Sequence, residues 1–523
     1  LRRVPGEHAD DLTPPAGDLA PHAGDDDLAS HAGAPTPHAG DLAPHGGALA
    51  PHGGAGPASW DGVTGARGGA AGPAVGAPAR QRSLRAHNLA LAFRHIMFAE
   101  RPISRIELAD QTGLTRPTIT RIVEELLAGR LIAESGPARS QGAGRPRVGL
   151  TLSSRGPAGL GLDIRADRLA ACLVDLTGTV RHLAFRPVPH VDGPAADLLG
   201  ALSELAAAVM AEAEAAQLEV VRVTLAVPGA VSHGSLVRFA PPLGWRDVDA
   251  GALLGTRLTT AARPATTASA AAGPQTTAPH TTAAHPAAAH EAVPHAAAAH
   301  EAAGTESVAP SDGRVRGGAS AIGGVPVRVE NEANLAALAE LYSGERADFA
   351  YVSGALDLGA GIVLGGRLLH GARGWSGAIG HVTVHPDGRD CTCGARGCLQ
   401  TYAGLEVLRA AAGHRDLLAA ADAGTPEMTA ALNAAGTALG IALADLVNLV
   451  DVGTILLGGS YAVLASWLTE PITTELHRRA LSSRWAPIDV RPAQLGPDAA
   501  AIGAALTSLE AVRRDPSSWL NRR

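Results

Sequence analysis

Two long stretches of this chain have almost nothing to bury, and they decide where a fold can form. Residues 1 to about 80 are built from Ala, Gly, His, Asp and Pro, with tandem heptads at 31–37, 38–44 and 45–51 that each open on His and close on Pro. A second stretch, about 259–320, is rich in Ala, Thr and Pro, with His280, His285, His290, His295 and His300 at a period of five. Such segments gain too little from burial to offset the entropy of ordering their backbone. A period of five follows neither a helix face nor a strand face. Both are therefore expected to be disordered, as an N-terminal tail over 1–82 and an internal insertion over 259–320, the latter in preference to a His-rich metal-binding tract. The 63 Gly and 36 Pro among 523 residues agree, since the usual combined share is roughly 12%.

The charge is uneven along what remains. Residues 80–150 hold 12 Arg and 6 acidic groups, whereas 1–79 hold 3 and 9 and 151–523 hold 28 and 35. The formal net charge of −7 thus hides a short basic module, and local positive charge is what a phosphate backbone requires. All 43 basic residues are Arg, which excludes Schiff-base chemistry and a Walker-type phosphate lysine. Three of the four Cys lie within eight positions. That spacing points to a metal site in a reducing, cytoplasmic setting rather than to a disulfide framework. No secretory or membrane segment is expected, because Arg2 and Arg3 lead into Val4-Pro5-Gly6-Glu7-His8 and the apolar stretch 438–468 is interrupted by Asp445 and Asp451.

The basic module, 83–153, has the order of a winged helix-turn-helix. Leu89, Phe93, Ile96 and Met97 recur at helical spacing and predict a first helix over 84–99. Ser104 and Glu107 form a capping box for a short second helix ending at Gln111, and Gly113 supplies the turn. Thr115 caps a third helix that tolerates Pro117 in its first turn and gathers Ile119, Ile122, Val123, Leu126 and Leu127 into one stripe. The opposite face carries Arg116, Thr118, Thr120 and Arg121, placed to read double-stranded DNA from the major groove. Residues 131–133 and 148–152 read as the strands of a wing, whose loop presents Arg145 and Arg147 to phosphate or the minor groove. Proteins of this kind usually bind as dimers, so a homodimer or higher homo-oligomer is expected.

From 156 onward, β-like and helical patterns alternate. Residues 160–176 read as a hairpin and 220–227 as a buried strand ending at Pro228-Gly229. His381 precedes Cys391, Cys393 and Cys398 among glycines that let the chain wrap an ion. One His and three Cys fill a tetrahedral zinc shell and leave no open position, so one structural zinc per chain is expected.

The order Pro228-Gly229, Leu243-Gly244-Trp245, Glu330-Asn331-Glu332-Ala333-Asn334, Gly359-Ala360-Gly361, Gly377-Ala378-Ile379-Gly380-His381 and the CxCGxxGCL run at 391–399 resembles the ROK family of bacterial sugar kinases and sugar-responsive repressors. The resemblance covers 84 to about 515 apart from the insertion, and it includes the winged helix of the repressor branch. It implies an α/β core over 156–523 with two lobes of the actin-like, ribonuclease H-like fold closing over a sugar. Asn331, Glu332, His381 and Gln400 stand at the family's sugar-contacting positions, with Glu332 where a kinase has its catalytic Asp.

A kinase of that family would need Gly and Thr after Asp163, where this chain has Arg165, Ala166 and Asp167. Its second phosphate turn is replaced in part by Ala355, Leu356 and Asp357. Carboxylates at both turns oppose a triphosphate. The expectation is a transcriptional regulator, a repressor whose operator binding responds to a sugar or sugar derivative, without enzymatic activity. The alternative is a sugar kinase carrying a DNA-binding arm.

Overall fold

The computed structural model describes residues 81–137, 148–261, 325–345, 348–413 and 415–522. The tail, the wing loop with Arg145 and Arg147, and nearly all of the insertion lie outside the described residues.

The basic module folds locally, from its own caps. Helix α1 (Gln81–Met97) stops two residues before the predicted end, where Pro102 already disfavours helical backbone at Arg101. Strand β1 (Ile103–Ser104) was not anticipated, because two residues are too short to show an alternation. Helix α2 (Arg105–Thr112) starts at the capping box: Glu107 N donates to Ser104 Oγ at 3.3 Å and Ser104 N to Glu107 Oε2 at 2.9 Å. Gly113, at φ 69°, ends it in the left-handed region that glycine enters without strain. Helix α3 (Arg116–Ala128) is capped by Thr115 and buries Ile119, Ile122, Val123 and Leu126. Strands β2 (Ile132–Pro137) and β3 (Val148–Leu152) pair antiparallel, with β1 on the other edge of β3.

The large module contains one topology twice. Its first lobe has strands β4 (Gly156–Ile164), β5 (Arg168–Asp175) and β6 (Val180–Pro187), helix α4 (Ala195–Ala215), strand β7 (Leu218–Val227), and the small sheet β8 (Ala230–Ser232), β9 (Leu236–Ala240) and β10 (Trp245–Asp249). Helix α5 (Ala250–Ala261) carries ordered structure two residues past the predicted start of the insertion, and β11 (Val327–Asn331) resumes the sheet. Helix α6 (Glu332–Tyr342) leads to the second lobe, with β12 (Phe349–Gly354), β13 (Leu358–Leu364), β14 (Arg367–Leu368), β15 (Thr454–Gly459) and β16 (Asp489–Pro492). The sheet orders are β11-β7-β4-β5-β6 and β14-β13-β12-β15-β16. Each is an antiparallel three-strand meander extended by two parallel strands, the repeated unit of a ribonuclease H-like two-lobed fold.

The helix Pro426–Val450 is the one described helix long and apolar enough to cross a bilayer. Its buried face packs in the second lobe's core with the helix Ala465–Arg479, as the core helix of a globular domain does.

The C-terminal segment joins the two modules. The helix Ala499–Ser508 follows the last strand of the second lobe, yet it packs on β4, β7 and α6. A Cβ at Gly161 would collide with Ala501 O, and one at Gly503 with Leu335 O, so helix and neighbours meet backbone to backbone. Beyond it, Leu506, Leu509, Val512 and Trp519 share one apolar cluster with Leu89, Phe93, Ile122 and Leu126 of the winged helix. Trp519 is 1% exposed and donates its indole N–H to Gly129 O at 2.8 Å, at the C-cap of α3. Removing a buried aromatic ring costs about 3–5 kcal/mol. Trp519→Ala is therefore expected to raise hydrogen exchange throughout α1 and α3 while leaving β12 and β15 protected, as read by mass spectrometry.

Candidate functional site

The arginines of this module fall into paired and unpaired groups among the described residues, and the exposed face of α3 carries two of the unpaired ones, as Arg94 and Arg130 are elsewhere in the module. Arg85, Arg101 and Arg105 are paired with Glu125, Glu107 and Glu134 at 2.9, 2.7 and 2.7 Å. Arg116 and Arg121 are exposed and make no ion pair among the described residues. Thr118 is half-buried and shares a 2.9 Å hydroxyl contact with the cap Thr115, and the exposed Thr120 donates back to Arg116 O at 3.0 Å. The helix thus presents two unneutralised guanidinium groups beside two hydroxyls whose helical partners still leave them able to accept.

Between the lobes, carboxylates converge on a single guanidinium. Arg165, in the turn after β4, donates from Nε to Asp163 Oδ2 at 2.9 Å and places Nη2 2.8 Å from Asp498 Oδ1. The side chain of Phe185 lies below it, with the ring centroid 5.6 Å from the guanidinium carbon. Burial works against the charge of Arg165, and Asp163 and Asp498 more than restore it. Asp167, to which the sequence reading gave the blocking role, is 66% exposed and lies 3.7 Å from Arg168. The group that turns inward after β4 is Arg165, and its partner Asp498 had no local signal in the sequence.

Glu332 begins α6 and is 5% exposed, with Ser353 Oγ 3.5 Å from its Oε1. Burial first, then the like charges of Asp163 and Asp357, push its carboxyl well above the usual range. Asn331 caps the same helix: its Oδ1 accepts from Ala333 N at 2.9 Å and Asn334 N at 3.2 Å, and its Nδ2 donates to Gly229 O at 2.9 Å. One amide N–H of Asn331 remains for a ligand. Gln400 accepts from Leu358 N at 2.9 Å, so its carbonyl holds the second turn rather than pointing free. The structure brings Asn331 and Glu332 together and sets His381 beside Asp357.

The metal-type cluster is compact. The donor atoms of His381, Cys391, Cys393 and Cys398 all lie within 4.8 Å of one another. Cys391 Sγ is 3.7 Å from His381 Nδ1, and Cys393 Sγ is 3.8 Å from Cys398 Sγ. A tetrahedron with zinc–sulfur arms of about 2.3 Å has edges of about 3.8 Å, so the donor set fits that ion. Burial and the neighbouring thiols push Cys398 up to about 12, a state that a bound cation would reverse.

A sequence profile of the ROK family matches residues 319–510. The glucokinase of Streptomyces coelicolor is 32% identical over 211 residues, 35% of this chain and 67% of that protein. The chain belongs to the ROK family. The xylose repressor of Bacillus subtilis is 23% identical over 413 residues, covering 77% of this chain and 90% of that protein. The crystal structure of a ROK family transcriptional regulator, a homologue of the E. coli MLC protein, superposes with a TM-score of 0.59 at 24% identity, over 84% of this chain and 100% of that one. This second likeness shows that the winged helix and the two lobes form one known architecture.

Within this ROK core, the buried carboxyl has a testable pH signature. Glu332 titrates near 4.5 when unfolded and higher when folded. Between those values the folded state binds more protons, so stability falls as pH rises through that window. Glu332→Gln should melt above wild type at pH 8, with the gap closing toward pH 4, as followed by scanning calorimetry. For the metal cluster, elemental analysis is expected to find about one zinc per chain, and Cys393→Ser to lose the metal together with thermal stability.

Proposed function

We propose that the protein is a DNA-binding transcriptional repressor whose operator affinity is set by a sugar held between the lobes. The carrying observation is the single apolar cluster that fuses the winged helix to the sugar-kinase-like core and leaves the Arg116, Thr118, Thr120 and Arg121 face bare. The regulator architecture and the naming of the B. subtilis relative as a xylose repressor support it. Arg145 and Arg147, in the wing loop, are assigned to phosphate or minor-groove contact.

In this reading Asn331, with its spare N–H, and Glu332, in its protonated form, hold sugar hydroxyls at the strand ends of the first lobe. His381 and Gln400 contribute from the second. Zinc, when bound by His381, Cys391, Cys393 and Cys398, supplies a rigid four-arm link and no reactive position. Occupancy is conveyed through the C-terminal segment, which meets Arg165 at Asp498 and the C-cap of α3 at Trp519. A homodimer places two reading heads on a two-fold symmetric operator.

Kinase activity is the rival reading, favoured by the glucokinase relative. Arg165 opposes it: the guanidinium pinned by Asp163 and Asp498 stands in the turn that would receive a nucleotide phosphate. Purified protein with ATP and D-glucose or D-xylose should form no sugar phosphate.

The deciding experiment selects bound genomic fragments and then titrates them by gel shift with and without D-xylose and D-glucose. Arg121→Ala is expected to weaken operator binding by about 1–3 kcal/mol and to relax sequence choice if it reads a guanine. Arg145→Ala and Arg147→Ala should weaken all sequences alike and flatten the salt dependence. Wild-type affinity in all three variants would remove residues 83–153 as the reading head.

A further inference from the structure

The loop after β14 crosses from the second lobe to the first. It closes on itself, with Ser376 N donating to His370 O at 3.2 Å, and is tied back to β13, with Ala360 N donating to Gly377 O at 2.7 Å. Gly371, Gly374 and Gly377 all take positive φ to make the knuckle. The knuckle then touches the opposite lobe twice. His370 Nε2 lies 3.7 Å from Glu330 Oε2, and Trp375 donates its indole N–H to Val231 O at 3.0 Å.

Trp375 is partly uncovered yet pinned. Trp245 and Trp519 are 3% and 1% exposed and Trp485 is 75% exposed, while Trp375 is 40% exposed with its N–H fixed to a carbonyl across the cleft. A ring pinned at its polar edge with an apolar face uncovered is a ready platform. The guanidinium of Arg373 lies over one face of the ring, 5.9 Å from its centroid, so a ligand would use the opposite face. The anchor of Trp375, Val231, lies two residues beyond Gly229, whose carbonyl holds the Asn331 amide.

We propose that Trp375 is the stacking platform for the sugar ring and determines which pyranose the cleft accepts. The inference rests on the sugar-sensing reading and adds to it the chemical class of ligand. A pyranose whose hydroxyls are all equatorial presents an unbroken face of C–H groups to the indole. An axial hydroxyl on that face would stand between ring and platform, without a partner there. With the platform on the face from which the C4 hydroxyl of D-galactose projects, the cleft favours D-xylose or D-glucose over D-galactose.

The test is calorimetric titration of the full chain with these three sugars, for wild type and for Trp375→Ala, Trp375→Leu and Trp375→Phe. Aromatic contacts of this kind are worth about 0.5–1.5 kcal/mol, so the Ala and Leu variants are expected to bind the preferred sugar about twofold to tenfold more weakly. The Phe variant keeps a face and stays within about threefold, which separates stacking from loss of the Val231 bond. Sugar should also shift the indole emission of wild type, and that change should be missing in the Phe variant while sugar still binds. Equal affinity in wild type and in both the Ala and Leu variants overturns the platform and leaves sugar sensing standing. Wild type that binds none of the three sugars overturns the sugar-sensing reading, and the platform with it.

Discussion

Backbone contact between the helix Ala499–Ser508 and its neighbours holds the molecule together. Gly161 on the central strand of the first lobe and Gly503 on the helix leave no room for a Cβ, so the helix lies against β4 on one side and α6 on the other. Thr224 Oγ1 and Ser508 Oγ close a 2.7 Å hydrogen bond inside this contact, where a buried unpaired hydroxyl would be costly. Because interiors packed this tightly shift between discrete arrangements rather than deforming smoothly, anything that displaces one end of the helix must move the other. One end carries Asp498, and the chain beyond the other carries Trp519.

A buried ion-pair cluster sits at the N-terminal end of the same helix. Here Arg165 supplies an internal cation between Asp163 and Asp498. Truncating one partner of such a buried pair leaves an uncompensated charge, which is strongly destabilising, so the pair resists drift once it has formed. Glu332 and Asp357 add further buried acidic groups, and burial together with the like charges of Asp163 and Asp357 raises the Glu332 carboxyl.

What the sequence disclosed and what it concealed divide by range. The Ser104–Glu107 box, the Thr115 cap and Gly113 involve residues within a few positions of one another, and local spacing carries their geometry directly. The His381, Cys391, Cys393 and Cys398 set was legible for the same reason. The contacts that make the architecture function as one body are long-range: Arg165 with Asp498, Trp519 with Gly129, Trp375 with Val231. No periodicity encodes them, and Asp498 and Trp375 had no feature to single them out. The first phosphate turn shows the difference. Its substituted residues were visible in the sequence, but only the fold reveals that Arg165 turns inward while Asp167 faces solvent.

If the C-terminal segment carries the signal, ligand and DNA must alter each other's affinity by one common factor, because coupling free energy is reciprocal. The most direct measurement is the dissociation constant for D-xylose or D-glucose, with and without saturating operator, in wild type and in Trp519→Phe. The Phe variant keeps a ring in the cluster but removes the indole N–H that holds Gly129. The account predicts that operator changes sugar affinity about fivefold or more in wild type, and that this factor falls toward one in the variant while sugar binding to the free protein is unchanged. An equal factor in both proteins would contradict it.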